Sequence, residues 1–181
     1  MPRPDGFSLR ELERRARRSG TGLADPDPAS GGLRAVHPLT GTWILEQLWS
    51  ARGDQSNPFT AAILRSLGAT LQVGDRAADG SFPLRNRVCL GQLALAFDGR
   101  AVLSGRRPLL LFAFERLTLS FGLHPLWQHS LTAGPVPLTL QGARRQPFFA
   151  LIACDRDQGW MAARGRGGGL ALWGLQPQGT P

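Results

Sequence analysis

The side chains that could carry out chemistry in this sequence are few and widely spaced. Two of its three histidines, His37 and His124, directly precede proline, and His129 stands nearby. A metal or catalytic site needs His, Cys, Asp or Glu at ligand spacing, and the histidines lack such neighbours in the sequence. Ser130 has neither the context of a nucleophile elbow nor an orienting acid. We therefore expect no enzyme activity, no catalytic residue, no metal and no cofactor.

The two cysteines, Cys89 and Cys154, both lie in apolar, strand-like runs. Such positions are typical of reduced thiols in a protein core, although a disulfide between them stays open. A reactive Cys89 would need a helix terminus or a cationic pocket, whereas its neighbours Arg85 and Arg87 are predicted on a strand. The cysteines therefore indicate structure more than reactivity.

Composition predicts a single β-rich domain with acidic partners. The 181 residues include 23 glycines and 14 prolines, scattered in a way that favours many short strands and turns. Basic residues outnumber acidic ones 21 to 13, which favours anionic lipid or nucleic acid as a partner. No stretch approaches the ~20 apolar residues of a membrane span, and the N-terminus lacks the apolar core of a secretory signal. We expect a protein that is cytoplasmic or sits on a membrane surface.

Residues 1–36 are predicted to be a basic N-terminal segment followed by a flexible linker. A short helix is expected over residues 5–18, because Ser8 and Glu11 have the spacing of a capping box. The linker at 19–35 is rich in Gly, Ser, Asp and Pro. Two interpretations of this helix stay open: it is a solvated tail, or it contacts an anionic surface. The arginines that would face such a surface are Arg10, Arg14, Arg15, Arg17 and Arg18.

Residues 37–176 are predicted to form the globular domain, with a tail at 177–181. Trp43, Leu45, Gln47 and Trp49 recur at period two, as expected for one face of a strand. Asn57-Pro58 predicts a capped helix that Gly68 ends, placed between strands as a plug. Eight to ten short strands follow, and one of them is expected to end at the turn-like pair Asp98-Gly99. This pattern favours a mainly β fold, an antiparallel barrel with a plug helix.

The stretch from Gly159 to Trp173 predicts the closing hairpin. It holds five glycines in eleven positions, flanked on both sides by alternating apolar residues. A phosphate-binding P-loop is excluded, because that motif needs a lysine and a following helix. Arg164 and Arg166 bracket Gly165 and give the turn a positive charge.

Several motifs together resemble the plastid lipid-associated proteins, or fibrillins. Leu39-Thr40-Gly41-Thr42-Trp43-Ile44-Leu45 is similar to the opening Gly-x-Trp strand of that family. The run Leu71-Gln72-Val73 with Arg85-Asn86-Arg87-Val88 is similar to its second and third strands. Asp157 followed by Met161 to Gly168 resembles its closing Asp…Arg-Gly-x-x-Gly signature. The resemblance covers residues 37–175, and its signature positions are Gly41, Trp43, Asn86, Asp157, Arg164, Gly165 and Gly168.

The resemblance implies a lipocalin-like barrel that binds a carotenoid, quinone or lipid at a thylakoid membrane or a plastoglobule-like lipid body. The cavity residues it suggests are Trp43, Leu45, Trp49, Phe97, Trp160 and Arg164. Pairing of the first and last strands would bring Arg164 onto Trp43 as a cation–π pair. Two alternatives remain: a lipocalin-fold bilin lyase or carrier whose propionate partners would be Arg85, Arg87 and Arg116, and an arginine-rich nucleic-acid-binding module. Nucleic acid is not the expected partner, because the aromatic residues mostly occupy apolar strand positions.

Overall fold

The computed structural model describes residues 36–49, 68–104, 108–131 and 147–177 of the chain. Within them the chain forms nine β-strands, every paired neighbour runs antiparallel, and no helix occurs. The strands are β1 (Gly41–Trp49), β2 (Thr70–Val73), β3 (Ser81–Leu90), β4 (Leu93–Ser104), β5 (Leu109–Phe121), β6 (His124–Ser130), β7 (Phe148–Asp155), β8 (Trp160–Gly165) and β9 (Leu170–Leu175). The expectation of a mainly β fold is confirmed.

The sheet closes on itself in a ring. Its strand order is β4-β3-β2-β1-β9-β8-β7-β5-β6, and a further pairing of β4 with β5 completes the circle. The first strand pairs with the last, from Trp43 opposite Leu175 to Trp49 opposite Leu170. Strand β6 stands outside the circle, because it pairs with the far half of β5 while β7 pairs with the near half. The predicted closing hairpin is present as β8 and β9.

The two predicted helices and the linker lie outside the described residues. These are the basic helix at 5–18, the linker at 19–35 and the plug helix that begins at Asn57-Pro58. In the described part of the chain, no helix is long and apolar enough to cross a bilayer.

Strand β4 does not end at Asp98-Gly99, which corrects the sequence prediction. It continues to Ser104, and the register against β5 shifts between Asp98 and Gly99. Asp98 faces Arg116 whereas Gly99 faces Phe114, so Glu115 is an extra residue on β5. An Asp-Gly pair that would suit a hairpin turn thus serves here as one side of a β-bulge.

The core fills the ring from its inner face. Alternation places Trp43, Leu71, Phe82, Leu110 and Met161 inward, and each of them is almost completely buried. A second apolar cluster occupies the opposite, outer face of β1, β7, β8 and β9. Its buried members are Trp49, Ala153, Trp160, Ala162, Leu170 and Leu172. Strands β7 to β9 are therefore apolar on both faces.

One end of the ring is fastened by Arg156, in the turn between β7 and β8. Its guanidinium Nη1 donates hydrogen bonds to the carbonyl oxygens of Thr40 and Pro38, on the segment that leads into β1. Nearby, Trp43 Nε1 donates to the Leu39 carbonyl at 2.8 Å, and Cys154 Sγ donates to the Pro38 carbonyl at 3.6 Å. Arg156 and Cys154 thereby join β7 and the β7–β8 turn to the segment before β1, and Trp43 holds that segment against its own strand.

Arg156→Ala is expected to lower the free energy of unfolding by about 1.5–3 kcal/mol, the range for hydrogen bonds to a charged group. Arg156→Lys should restore only part of this, because lysine lacks the planar fork of donors. Urea denaturation measures the loss. The exposed Arg87→Ala is the control and should change stability by no more than about 0.5 kcal/mol. Equal stability of the Arg156 and Arg87 variants would contradict a fastening role.

Candidate ligand-binding site

A row of five aromatic side chains crosses the inner face of the ring. Phe97 and Phe114 have ring centroids 5.2 Å apart, Phe114 and Phe112 5.3 Å, and Phe112 and Phe149 5.0 Å. Phe149 then meets Trp173 edge-on at 6.4 Å. We call these residues the aromatic arc. They come from β4, β5, β7 and β9, so the arc spans much of the ring, in the tilted geometries that aromatic pairs prefer.

The arc ends at a buried polar atom for which no described residue is a hydrogen-bond partner. Trp173 is 5% exposed, and its Nε1 has no acceptor within hydrogen-bonding distance among the described residues. Trp43, the other tryptophan of the inner face, does have an acceptor, because its Nε1 donates a hydrogen bond to the Leu39 carbonyl. A buried donor without an acceptor lowers the stability of a protein by roughly 1–3 kcal/mol, so buried donors usually have a hydrogen-bond acceptor. The arc therefore combines packed apolar rings with one buried donor that no described residue satisfies.

The inner face is less enclosed toward one end of β3, β4 and β5. Phe82 and Leu84 are buried, whereas Asn86 and Val88, further along the same face of β3, are only partly buried. The same change occurs on β5, from Phe112 to Leu119. The half-buried residues that continue the face are Val88, Leu95, Phe97, Phe114, Leu117 and Leu119. Exposure of the inner face therefore rises from Phe112 toward Leu119, away from Trp173.

Arginines near this region point away from it. Arg85 lies on the outer face of β3, where Asp98 across the strand pair raises the pKa of its guanidinium through a hydrogen bond. Glu115 raises the pKa of Arg100 in the same way, with a distance of 2.9 Å between Nε and Oε1. Arg116 is exposed and faces Asp98 from the opposite strand. The inner face of these strands therefore carries no arginine.

The structure divides the predicted cavity residues between two faces. Trp43, Leu45 and Phe97 lie on the inner face, as a common cavity requires. Trp49 and Trp160 lie in the outer cluster. The cause in β1 is a bulge, because Leu45 pairs with Trp173 and Gln47 with Leu172, which leaves Glu46 as an extra residue and reverses the faces beyond it.

Arg164 and Trp43 do not come together. Arg164 is opposite Leu170, and Trp43 is opposite Leu175, on strand β9. Five residues of strand separate these rows by about 17 Å at 3.3–3.4 Å per residue. Arg164 Nη1 instead donates to the Gly168 carbonyl at 3.0 Å and so supports its own hairpin. The carbonyls at the end of the ring are bound by Arg156.

The remaining signature positions have local roles. Gly41 has φ +145°, and a Cβ there would lie 2.7 Å from Leu175 Cδ1. Gly168 has φ +81° in the β8–β9 turn, where its N–H bonds to the Gly165 carbonyl at 2.9 Å. Asp157 is exposed in the β7–β8 turn, and Asn86 is partly buried on the inner face between Leu71 and Phe97. Two signature residues are thus paired directly with members of the arc: Asn86 with Phe97, and Gly165 with Phe149.

The candidate metal ligands and thiols are dispersed. No group of three or more His, Cys, Asp or Glu side chains is placed to hold a metal ion within the described ranges. Cys89 and Cys154 are free thiols, and burial raises the pKa of Cys154 to about 12. His37 is buried against Phe82, with ring centroids 4.8 Å apart, whereas His124 and His129 are exposed on β6. Cys154 lies in the same core cluster as Phe112 and Trp173, whereas the other groups are not part of that cluster.

Comparison with known proteins adds no assignment. No protein-family model matches the sequence, and no match is found among curated proteins. The resemblance to fibrillins therefore rests on the motifs in the sequence itself.

The sequence reasoning missed four of the five residues of the arc. Phe112, Phe114, Phe149 and Trp173 all stand in runs that are apolar on both faces, where alternation does not indicate which side chain points inward. The sequence feature that could have indicated them is the presence of aromatic residues in the apolar strands β5, β7 and β9. Only their non-local pairing brings them into one row.

Proposed function

We propose that this protein is a non-enzymatic, lipid-associated protein with a lipocalin-like barrel. It binds a hydrophobic small molecule, such as a carotenoid, quinone or lipid, and works at the surface of a photosynthetic membrane or a lipid body. The ring of antiparallel strands and the fibrillin-like motifs support this architecture. The resemblance supplies the ligand class and the location.

The observation that carries the proposal is the indole N–H of Trp173 at the end of the aromatic arc. Ligand sites for small molecules are mostly apolar, with a few polar groups that fix orientation. The arc has this composition, and Trp173 Nε1 is a buried donor for which the described residues offer no acceptor. A quinone or ester carbonyl would complete that hydrogen bond while its apolar part lies along Phe149 and Phe112. No comparable observation favours a bilin, because Arg85, Arg87 and Arg116 lie on the outer face.

The molecule bound in the cell is identified by purifying the protein from its native source and recording its absorption spectrum and extracted lipids. A bound carotenoid, quinone or lipid supports the proposal. A covalently attached bilin, or nucleic acid seen as high absorbance at 260 nm, would replace it with the corresponding alternative.

The role of Trp173 is tested with two apolar probes. Decyl-plastoquinone has carbonyl acceptors, whereas β-carotene has none. Trp173→Phe should weaken decyl-plastoquinone binding by up to about tenfold, the equivalent of one hydrogen bond, and leave β-carotene binding unchanged. Trp160→Phe, in the outer cluster, is the matched control and should affect neither probe. An equal loss of affinity for both probes would mean that Trp173 acts through packing. Unchanged affinity for both probes would mean that Trp173 is not part of the site.

A further inference from the structure

The four strands β3 to β6 end together in an exposed apolar tip. Strand β3 runs three residues past its last pairing with β2, which joins Thr70 to Arg87. The β3–β4 turn and the β5–β6 turn lie side by side, because Gly122 N–H donates to the Gln92 carbonyl at 2.7 Å. Gly91 and Gly122 both have φ +58°, so each turn depends on a glycine. The two turns thus form one structural unit.

Large apolar side chains cover this tip and face solvent. They are Leu90, Leu93, Phe121, Leu123, Leu126 and Trp127, and we call them the apolar tip. Leu123, at the outermost turn, is 97% exposed, and Trp127 is 50% exposed, unlike the chain's other four tryptophans, which are buried. Exposed apolar patches of this kind mark interaction sites in proteins.

The tip is free of charge and is bordered by arginines. Residues 88–97 and 117–131 contain no Asp, Glu, Lys or Arg. Behind them on the outer face stand Arg85, Arg87 and Arg116, with Asp98 as the one acid between Arg85 and Arg116. The border thus carries a net charge of +2 from three arginines and one aspartate. Apolar side chains with a basic border match an anionic lipid surface.

The spacing suits shallow insertion into a bilayer. Arg87 stands three residues behind Leu90, or about 10 Å at the rise of a strand. Amphipathic elements bury their apolar side ~5–10 Å deep, so insertion of the tip would bring Arg87 level with the phosphate groups. Trp127 stacks on His129 with ring centroids 5.5 Å apart, and tryptophan is enriched at this depth. A second copy of the chain fits less well, because it would bring two arginine borders together.

From these observations we propose that the apolar tip is the surface by which the protein inserts into an anionic bilayer. The inference rests on the proposed association with lipid and adds where and how contact is made. It separates membrane contact from ligand binding, since the tip and Trp173 lie in different parts of the fold.

The test uses the full chain and vesicles of phosphatidylcholine alone or with about 30 mol% phosphatidylglycerol, which gives the surface the negative potential that attracts basic residues. The Leu123→Asp/Leu126→Asp variant should bind anionic vesicles at least about tenfold more weakly than the unaltered protein in flotation assays. Val36→Asp is the control: Val36 is 52% exposed and precedes β1, at the opposite end of the ring, and its variant should bind normally. Circular dichroism checks that both variants fold. Unchanged binding by the tip variant would overturn the proposal.

Trp127 supplies a second, direct measurement. Phosphatidylcholine brominated on its acyl chains should quench part of the tryptophan emission, and Trp127→Phe should remove that part. Absence of such quenching would place the tip outside the bilayer. Concentration-dependent dimers that Leu123→Asp/Leu126→Asp abolishes, without vesicle binding by the unaltered protein, would make the tip an interface between copies and overturn the proposal.

The two proposals can fail separately. The tip variant should bind decyl-plastoquinone as the unaltered protein does, and Trp173→Phe should bind vesicles normally. Vesicle binding through the tip without binding of either apolar probe would remove the proposed ligand and keep the membrane contact. Binding of a probe without binding to vesicles would contradict only the proposed membrane contact.

Discussion

Replacing Trp43 with alanine is expected to destabilise the protein by about 3–5 kcal/mol, the range for a large aromatic residue removed from a core. Trp43 is 0% exposed, and it lies where β1 is paired with both β2 and β9. Domains of this size are stable by only about 5–15 kcal/mol, so the variant should lose much of its stability. Urea denaturation followed by circular dichroism measures the change in midpoint and slope.

Two variants separate the contributions of Trp43. Trp43→Phe keeps an aromatic ring but removes the N–H that bonds to the Leu39 carbonyl, so it should cost less than alanine does. Trp127→Ala is the control for tryptophan removal at a half-exposed position, and its effect on stability should be small. A loss for Trp43→Ala no larger than that for Trp127→Ala would show that Trp43 is not a core residue.

The features that could be predicted from the sequence depend on local patterns. Alternation marks strands wherever one face is apolar, and the Gly-rich stretch after Arg164 predicts a hairpin because a tight turn needs residues that tolerate positive φ. Strands β8 and β9 and the turn at Asp79-Gly80 follow from these rules. Pairing of the first and last strands came from the resemblance, and the register of β1 against β9 agrees with it.

Bulges explain part of what the sequence did not predict. An extra residue in a strand reverses the faces beyond it, and such a residue occurs at Glu46 in β1 and at Ile152 in β7. Period-two counting across Glu46 therefore assigned Trp49 to the same face as Trp43. A bulge leaves little local signal, since it depends on how the partner strand fits.

The roles of Arg156 and Trp173 could not be predicted for a different reason. Arg156 bonds to carbonyls of residues 38 and 40, more than a hundred positions earlier, so only the closure of the ring makes its partners available. Trp173 differs from Trp43, the other tryptophan of the inner face, because no described residue accepts a hydrogen bond from its indole N–H, and this depends on its surroundings. Pattern rules detect which residues are apolar, whereas these roles depend on non-local pairing.

Gly99→Ala is expected to destabilise the protein by about 1–3 kcal/mol or more, through overpacking against backbone. Gly99 sits at the bulge between β4 and β5, where a Cβ would collide with the Ala113 carbonyl oxygen and lie 2.8 Å from Phe114 Cα. Backbone atoms inside a sheet cannot rotate away, so the two strands would have to separate at the point where their register shifts. Gly167→Ala is the matched control, because a Cβ at Gly167 meets nothing within 4 Å, and it should change stability by no more than about 0.5 kcal/mol. Urea denaturation of the two variants makes the comparison, and equal midpoints would mean that β4 and β5 do not approach each other at Gly99.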